Sequence, residues 1–378
     1  MGGAETWLME LLRYWNTSGD CHMDFLATSG NAAIFDEEAL QIGAQIHYVR
    51  YGRAHLPRFA TEFRRVLREG RYDAFHDHQD YASGWHFLMG EGVLPPVRVT
   101  HVHNPSYQIR NNYGVTLGRR LAARAGKELV ARYATHIAGT SRQVITEYGF
   151  DEANFVGIPR MALHCGFNVS RFLGDVAVTK AAICRELCWP EDAKIILFAG
   201  RIDESADLCH PRNHKNSAFA VSVGIECSRR DPRIRMLLAG AKSAAVPILE
   251  ERIAASGLAD RMRFIGIRKE IAHLMLGSDV LLFPSRGEGL GMVAVEAQSA
   301  GLPVLASSNV PRECMVVPDL VRFKEMDDGE VAWADELLRL AALPRDVECA
   351  NRQVAASPFA IAHSAQTLLR LYSADTPS

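Results

Sequence analysis

The sequence lacks any hydrophobic run long enough to cross a lipid bilayer. Its most apolar segments, KIILFAG and DVLLFPS, have the length of β-strands, whereas a membrane-spanning helix needs about 20 apolar residues. Charge of one sign is also lacking, since the net charge is −2 over 378 residues, which argues against a nucleic-acid partner. Neither a CxxC pair nor a segment typical of a signal peptide accompanies the eight cysteines. We therefore expect reduced thiols in a cytoplasmic protein.

A strand is lacking before the first glycines. The chain opens with MGGAETWLMELLR, and a glycine pair followed by an amphipathic helix normally comes after the first strand of a nucleotide-binding domain. That strand is usually central in its sheet, with a neighbour on each side. We therefore expect either that the strand lies upstream of Met1 or that another segment takes its position.

What is present is a regular alternation of short apolar runs and helical patterns, which predicts parallel sheets covered by helices. The alternation forms two doubly wound α/β halves in series. We expect an N-terminal domain of residues 1–168, joined by a C-terminal helix at 358–373, and a C-terminal domain of residues 169–357. The predicted strands are MDFLAT, AQIHYVR, DAFHDH, VRVTHVH and THIAGTS in the first half, and KIILFAG, RIRMLLAG, RMRFIG, DVLLFP and LPVLAS in the second.

The segment DVLLFPSRGEGLGMVAVEAQSAGLPVLAS, residues 279–307, combines a buried strand, a glycine-rich loop and a helix. Glycines let the backbone approach a ligand, and the free N–H groups of a helix N-terminus suit a phosphate. Glu288 and Glu296 flank this point. Carboxylates repel a diphosphate but accept hydrogen bonds from the vicinal hydroxyls of sugars. The plain alternative is that Glu288 is a solvated loop charge and Glu296 an ordinary helix residue.

The whole arrangement of strand, FPS, EGLG, seven-residue spacing and AGLPVLAS resembles the nucleotide-sugar-binding segment of family-4 retaining glycosyltransferases. ILFAGRI followed by HKN resembles the basic pair that holds the donor diphosphate in this family, here Arg201 and Lys215. The intervening segment DESADLCHPRNH is longer than usual, so Arg212 is an alternative to Lys215. HVHN resembles the position of a histidine that faces the donor sugar, here His103, notably in the enzymes that build capsular and extracellular polysaccharides.

The resemblance implies a GT-B fold: two facing Rossmann-like domains with a deep cleft between them. It implies a hexosyltransferase-type enzyme that moves a sugar, with retention, from a UDP- or GDP-linked donor to a hydroxyl of a saccharide or lipid-linked saccharide. No cofactor and no metal are expected, because no DxD-type acidic pair stands at a phosphate site. The resemblance assigns catalysis to Glu288, His103, Arg201 and Lys215. The implied donor site is Gly2, Gly3, Gly200, Arg201, Lys215, Glu288, Gly289, Leu290, Gly291, Met292 and Glu296.

Two alternatives belong to other classes of protein. One is a non-catalytic protein of the same fold that binds a nucleotide sugar or a partner. The other is a metal-dependent hydrolase, because HDH and HVH each place two histidines on one face at the end of a strand. In the glycosyltransferase interpretation His76, His78 and His101 pack or orient loops.

Basic residues cluster in residues 58–71 and 119–132. Most such clusters are solvated helix faces, but a basic amphipathic helix can also lie on anionic lipid. Peripheral contact with the inner face of a membrane is the corresponding hypothesis.

Overall fold

The fold is described from a computed structural model, which describes residues 3–114, 116–268 and 270–373. The chain divides into two compact units. The N-terminal unit runs to Phe167 and takes up the chain again from Pro358, and the C-terminal unit is Asn168–Ser357.

Short strands alternate with helices along the N-terminal unit. Its elements in chain order are α1 (Gly3–Ser18), β1 (Phe25–Ala27), α2 (Asp36–Ile42), β2 (Ile46–Tyr48), α3 (Leu56–Gly70), β3 (Ala74–Asp77), α4 (Ala82–Met89), β4 (Val97–Val102), α5 (Ser106–Tyr113), α6 (Leu117–Tyr133), β5 (His136–Gly139), α7 (Arg142–Glu147) and β6 (Arg160–Ala162).

The same alternation continues through the C-terminal unit, and one further helix follows it. These elements are α8 (Val176–Leu187), β7 (Lys194–Ala199), α9 (Ser217–Arg230), β8 (Ile234–Ala239), α10 (Val246–Ala255), β9 (Met262–Gly266), α11 (Ile271–Gly277), β10 (Val280–Phe283), α12 (Met292–Ser299), β11 (Val304–Ser307), β12 (Val321–Lys324), α13 (Gly329–Leu340), α14 (Val347–Ala355) and α15 (Ile361–Tyr372).

Every strand expected from the apolar runs is confirmed, with bounds that differ by at most two residues at either end. The strands β6 and β12 were not predicted from the sequence. Both are edge strands, because β6 pairs only with β5 and β12 only with β11. Their sequences, RMA and VRFK, are short and contain cations beside their apolar residues, since an edge strand is less completely buried than a central one.

The described strands of the N-terminal unit form two parallel sheets. One is the pair β1-β2, and the other has the order β3-β4-β5-β6. Within the described residues β1 and β3 each have one edge without a hydrogen-bonded strand. Leu26 of β1 and Phe75 of β3 nevertheless pack against one hydrophobic cluster built on Phe59 and Phe63 of α3. The further strand that the sequence analysis expects beside them stays a prediction.

The last helix belongs to the N-terminal unit. Phe167 exchanges backbone hydrogen bonds with Phe359 and Ile361, at 2.9 and 3.0 Å. The indole Nε1 of Trp7 in α1 donates to Ser364 Oγ in α15 at 3.0 Å. Within the described residues, none of the helices combines the length and the apolar character that a bilayer crossing requires.

The C-terminal unit is built on one six-stranded parallel sheet with the order β12-β11-β10-β7-β8-β9. All residues of β8 and β10 are buried, because helices cover both faces of such a sheet. The chain order reverses between β10 and β7, which pair through Val280 with Ile196 and Leu281 with Leu197. In open α/β sheets a crevice forms beyond the carboxyl ends of the strands at this reversal, and ligands bind there.

Arg345 holds the carboxyl ends of two helices beside this sheet. Its guanidinium donates five hydrogen bonds of 2.6–3.3 Å to backbone carbonyl oxygens near the ends of α11 and α12. Burial lowers the pKa of Arg345 to about 10. The acceptors are Met275, Leu276, Ser278, Ala300 and Gly301. A helix end needs such donors because its last carbonyl groups have no partner within the helix.

We expect Arg345→Ala to lower the free energy of unfolding by about 2–4 kcal/mol, because buried carbonyl groups lose a charged donor. Urea denaturation followed by circular dichroism measures this loss. Arg339→Ala is the matched control, since Arg339 is half exposed and, among the described residues, pairs with Glu336 on its own helix alone. Equal losses in the two variants would show that the five hydrogen bonds of Arg345 contribute nothing specific.

Candidate active site

The loop after β10 carries most of the predicted donor-binding residues. It runs from Pro284 to Gly291 and leads into α12 at Met292. Leu290 is only 3% exposed, which fixes the loop against the core. Gly291 has φ = 93°, and a Cβ atom there would lie 2.8 Å from Val310 Cγ1 and 3.0 Å from Phe283 Cε1. Glycine is therefore required at the residue that opens the N-terminus of α12.

Glu288 is in contact with Lys215. Lys215 Nζ donates to Glu288 Oε1 at 2.6 Å, and the two side chains are 26% and 12% exposed. The Ser285 hydroxyl lies 2.5 Å from the same oxygen and 2.8 Å from the carbonyl oxygen of His214. A hydroxyl donates only once, and the charged acceptor is favoured. The carboxylate is thus held by a loop residue and by a cation that is 73 positions away in sequence.

Asp203 positions Lys215 and is not among the residues predicted from the sequence. Its buried carboxylate accepts hydrogen bonds from the backbone N–H groups of Lys215 and Ser217, at 3.1 and 2.9 Å. Ser217 is the first residue of α9, so Asp203 satisfies an N–H group at a helix N-terminus as a capping residue does. The long segment between Asp203 and the helix hides this pairing, because a capping residue normally precedes its helix directly.

The predicted cations lie around one buried imidazole. Burial lowers the pKa of His214; Asp203 and Glu288 oppose this lowering, whereas Arg201 and Lys215 add to it. All four charges therefore act at the same place. Arg201 is the second residue after β7 and its side chain is exposed, so its guanidinium is open to an incoming anion.

The segment of residues 203–214, which lies between the two cations, folds against the loop after β10. Arg286 donates to the carbonyl oxygens of Leu208 and His210. Asn213 Nδ2 donates to the carbonyl oxygens of Ser205 and Asp207, at 2.9 and 2.6 Å. Arg212, the alternative to Lys215, is exposed, whereas Lys215 contacts Glu288. Of the two, Lys215 is the one that contacts a predicted donor-binding carboxylate.

The ends of β7 and β8 approach closely beside the site. A Cβ atom on Gly240 would lie 1.8 Å from the carbonyl oxygen of Gly200. Gly200 itself lies beside the stem of Lys215, since a Cβ atom there would be 3.6 Å from Lys215 Cδ. Glu296 lies in α12 and is partly exposed. The predicted residues from Gly200 to Glu296 thus gather at one edge of one sheet.

In the N-terminal unit four histidines meet at the ends of two neighbouring strands. His76 and His78 come from β3 and the residue after it, and His101 and His103 come from the end of β4. His76 Nε2 lies 3.2 Å from His101 Nδ1, and His78 Nδ1 lies 2.8 Å from His103 Nε2. The ring of Trp7 packs against all four imidazoles, with centroids 5.5–6.4 Å apart.

These imidazoles are held neutral. Burial lowers the pKa of His78 to about 4. Burial, with the charges of the neighbouring imidazoles, lowers the pKa values of His76, His101 and His103 well below their usual range. Gly3 is the first residue of α1, the helix that carries Trp7, and the space beside its Cα is open. Gly2, the other glycine of the predicted pair, lies outside the described residues.

Comparison with known proteins identifies the class of this protein. Residues 1–161 match the family model described as Glycosyltransferase Family 4, and residues 193–342 match the model described as Glycosyl transferases group 1. The chain belongs to the family-4 glycosyltransferases. A protein of Bacillus subtilis (strain 168) named as glycosyltransferase EpsF is 28% identical over 347 residues, which are 91% of this chain and 86% of EpsF.

Further relatives and solved structures agree. D-inositol 3-phosphate glycosyltransferase of Nocardia farcinica is 31% identical over 267 residues, but this chain spans only 54% of its length. HepE of Anabaena, solved in complex with UDP, matches with a TM-score of 0.77 and 16% identity over 98% of this chain and 96% of that one. Sucrose-phosphate synthase of Thermosynechococcus elongatus matches with a TM-score of 0.71 and 19% identity, covering 98% and 93%. The fold is GT-B, with Rossmann-like units.

These findings confirm the predicted family, fold and enzyme class. They favour the glycosyltransferase over the non-catalytic protein and over the metal-dependent hydrolase. The roles of the individual residues, from Gly3 and His103 in one unit to Glu288 in the other, stay predictions.

We expect Gly291→Ala to unfold more easily than Gly257→Ala. Both glycines have positive φ, at 93° and 72°, but only Gly291 has neighbouring atoms where the new Cβ atom would lie. The shared backbone strain costs about 1 kcal/mol or more, and the contacts with Val310 and Phe283 add about 1–3 kcal/mol for Gly291→Ala alone. Thermal and urea unfolding of both variants measure the difference, and equal stabilities would show that the loop relaxes freely.

Proposed function

We propose that this glycosyltransferase moves a sugar from a nucleotide-activated donor to a hydroxyl of a saccharide or lipid-linked saccharide, with retention, in the assembly of an extracellular polysaccharide. The observation that carries the proposal is the contact of Lys215 with Glu288 beside Arg201, at the reversal of strand order. Cations for a diphosphate and a carboxylate for sugar hydroxyls stand together where α/β sheets bind nucleotides.

UDP is the favoured donor carrier. HepE of Anabaena has been solved with UDP, with UDP-glucose and with UDP and glucose. The resemblance to the enzymes of capsular and extracellular polysaccharides supports a saccharide acceptor. WaaG, a glycosyltransferase involved in lipopolysaccharide biosynthesis, shares the fold with a TM-score of 0.65. A screen of UDP- and GDP-linked sugars would identify the nucleotide and the transferred sugar.

The ion pair of Lys215 and Glu288 has a role in donor binding. When the donor enters, the ammonium of Lys215 turns to the diphosphate, and the carboxylate of Glu288 accepts hydrogen bonds from hydroxyls of the donor sugar. Arg201 adds a second cation to the diphosphate. The pairing keeps both charges compensated before the donor arrives, which avoids the cost of a partly buried unpaired charge.

The transfer step needs stabilisation of the leaving group more than a strong base. The acceptor hydroxyl oxygen forms a bond to the anomeric carbon while the bond from this carbon to the β-phosphate oxygen breaks. The hydroxyl proton passes to the departing phosphate oxygen on the same face, so configuration is retained. Arg201 and Lys215 stabilise the charge that develops on the diphosphate. No metal ion and no cofactor takes part in this scheme.

The remaining assignments follow the same chemistry. Glu296 accepts hydrogen bonds from the ribose hydroxyls. The N–H groups from Gly289 to Met292, at the start of α12, bind the donor through the positive end of the helix dipole. The proposal assigns Gly2 and Gly3 to the donor phosphates and His103 to the donor sugar.

We expect Glu288→Gln to lower kcat/KM for transfer by about 10²–10³-fold, because a neutral amide binds sugar hydroxyls more weakly and leaves Lys215 unpaired. Release of UDP from a panel of UDP-sugars, with and without acceptors, measures the rate.

Lys215→Ala should weaken UDP binding, measured by calorimetry. Arg212→Ala is the matched control and should retain both properties. A larger loss in Arg212→Ala than in Lys215→Ala would transfer the diphosphate role to Arg212.

Contact with an anionic membrane is the second part of the proposal, and α6 carries it. Leu117 and Leu121 of α6 are 74% and 58% exposed, beside the exposed cations Arg120 and Arg124. Exposed leucines with interleaved arginines are typical of a helix that lies in a membrane interface. On α3, by contrast, Arg64 donates to backbone carbonyl oxygens and Arg65 pairs with two glutamates of its own helix.

We expect the double substitution Arg120→Ala and Arg124→Ala to weaken binding to phosphatidylglycerol vesicles by roughly tenfold or more, since each surface cation contributes to the attraction. Co-sedimentation at low and at high salt measures this. The pair Arg65→Ala and Arg68→Ala on α3 removes the same charge and is the control. Equal effects of the two double substitutions would show that the vesicles respond to net charge and not to α6. If the unchanged protein does not bind the vesicles at low salt, the membrane proposal is wrong.

A further inference from the structure

We propose that His76, His78 and His101 form a binding site for one divalent transition-metal ion, best fitted by Zn²⁺, and that the bound ion inhibits glycosyl transfer. These residues reach one place because β3 and β4 are parallel neighbours. Residues two apart on a strand face the same side, which brings His76 and His78 together. His101 approaches from β4, since Val99 is the register partner of His76.

The distances suit a metal site. One ligand nitrogen from each of the three imidazoles lies within 4.8 Å of the other two. His76 Nε2 and His101 Nδ1 are 3.2 Å apart, whereas a tetrahedral ion with Zn–N bonds of about 2.0–2.1 Å separates its ligands by about 3.3 Å. Two of the three nitrogens therefore have the required spacing already. Rotation of the His78 ring completes the set.

A hydrogen bond from Tyr372 orients the His76 ring as a metal site requires. The Tyr372 hydroxyl lies 2.7 Å from His76 Nδ1, so Nε2 faces the cluster. A hydrogen bond of this kind to the second ring nitrogen orients a metal-binding histidine and raises its basicity. His101 is fully buried, and Nδ1 is the nitrogen that it turns to His76. Its other nitrogen, Nε2, has no hydrogen-bond partner within the described residues, so packing alone orients this ring. The ring of Trp7 packs edge-on against all three imidazoles.

The ligand chemistry selects the ion. Three imidazoles without a carboxylate suit Zn²⁺, Ni²⁺ or Cu²⁺, whereas Mg²⁺ and Ca²⁺ need oxygen ligands. Asp77 lies between His76 and His78 in sequence, but its carboxylate is bound to His86, Ser83 and the backbone of Gln79. These partners hold the Asp77 carboxylate on the face of β3 opposite to His76 and His78.

The expected effect on activity follows from His78. Its Nδ1 lies 2.8 Å from His103 Nε2, and this contact supports the ring that the proposed function places against the donor sugar. Rotation of His78 toward an ion removes the contact and leaves His103 without its partner. The inhibitory half of this inference rests on the proposed function, whereas the binding half does not.

The test is calorimetric titration of the chelator-treated full chain with Zn²⁺, beside variants at the site. The unchanged protein should bind one ion, and His78→Asn and His101→Asn should bind at least 100-fold more weakly. Tyr372→Phe should lose about 10–100-fold in affinity, because it removes only the hydrogen bond that orients His76. His363→Asn, an exposed histidine of α15, is the control and should bind as the unchanged protein does.

Unchanged affinity in His78→Asn, or the same loss in His363→Asn, would overturn the site. If His101→Asn fails to fold, His78→Asn and the rise in melting temperature of the unchanged protein with Zn²⁺ decide the question. Zn²⁺ should inhibit UDP-sugar turnover, and EDTA should restore it. Binding without inhibition would overturn the inhibitory half alone. Absence of turnover on every donor would contradict the proposed function and leave the titration valid.

Discussion

The reversal of strand order between β10 and β7 is the constraint on which the candidate active site depends. Because these neighbouring strands continue into helices on opposite sides of the sheet, their carboxyl ends open a crevice. Gly200 and Arg201 follow β7, and Glu288 follows β10 by five residues. The contact of Lys215 with Glu288 is then a bridge between the two sides of the reversal. Arg345 stabilises this arrangement, since it donates hydrogen bonds to the carbonyl groups at the carboxyl end of α12, the helix that follows the loop after β10.

Much of this could be predicted from the sequence, because buried strands of a parallel sheet are continuous apolar runs. Each residue of β8 is buried, and a run of six apolar or aliphatic-stemmed residues is difficult to place anywhere else. Edge strands such as β12 bury less and resemble loops. The predicted residues around Glu288 share one segment of sequence, so their proximity followed from the loop itself.

The contacts that hold the site could not be predicted, because they join residues that are far apart in sequence. Lys215 and Glu288 meet over 73 positions. Asp203 caps a helix that begins 14 residues later, and the intervening segment carries no pattern that marks the pair. The same holds for the histidines: each HxH pair was visible, but the pairing of His76 with His101 required the register of β3 on β4.

The candidate site residues of the two units differ in charge. In the C-terminal unit, two cations, Arg201 and Lys215, and two carboxylates, Asp203 and Glu288, act on His214. In the N-terminal unit, burial keeps four imidazoles neutral, which retains nitrogen lone pairs at neutral pH. Charged groups favour a diphosphate, whereas neutral imidazoles favour hydrogen bonds and soft cations. A histidine that contacts a sugar and a histidine that binds zinc both need a neutral ring. A cluster of neutral histidines that suits a sugar therefore also suits a zinc ion.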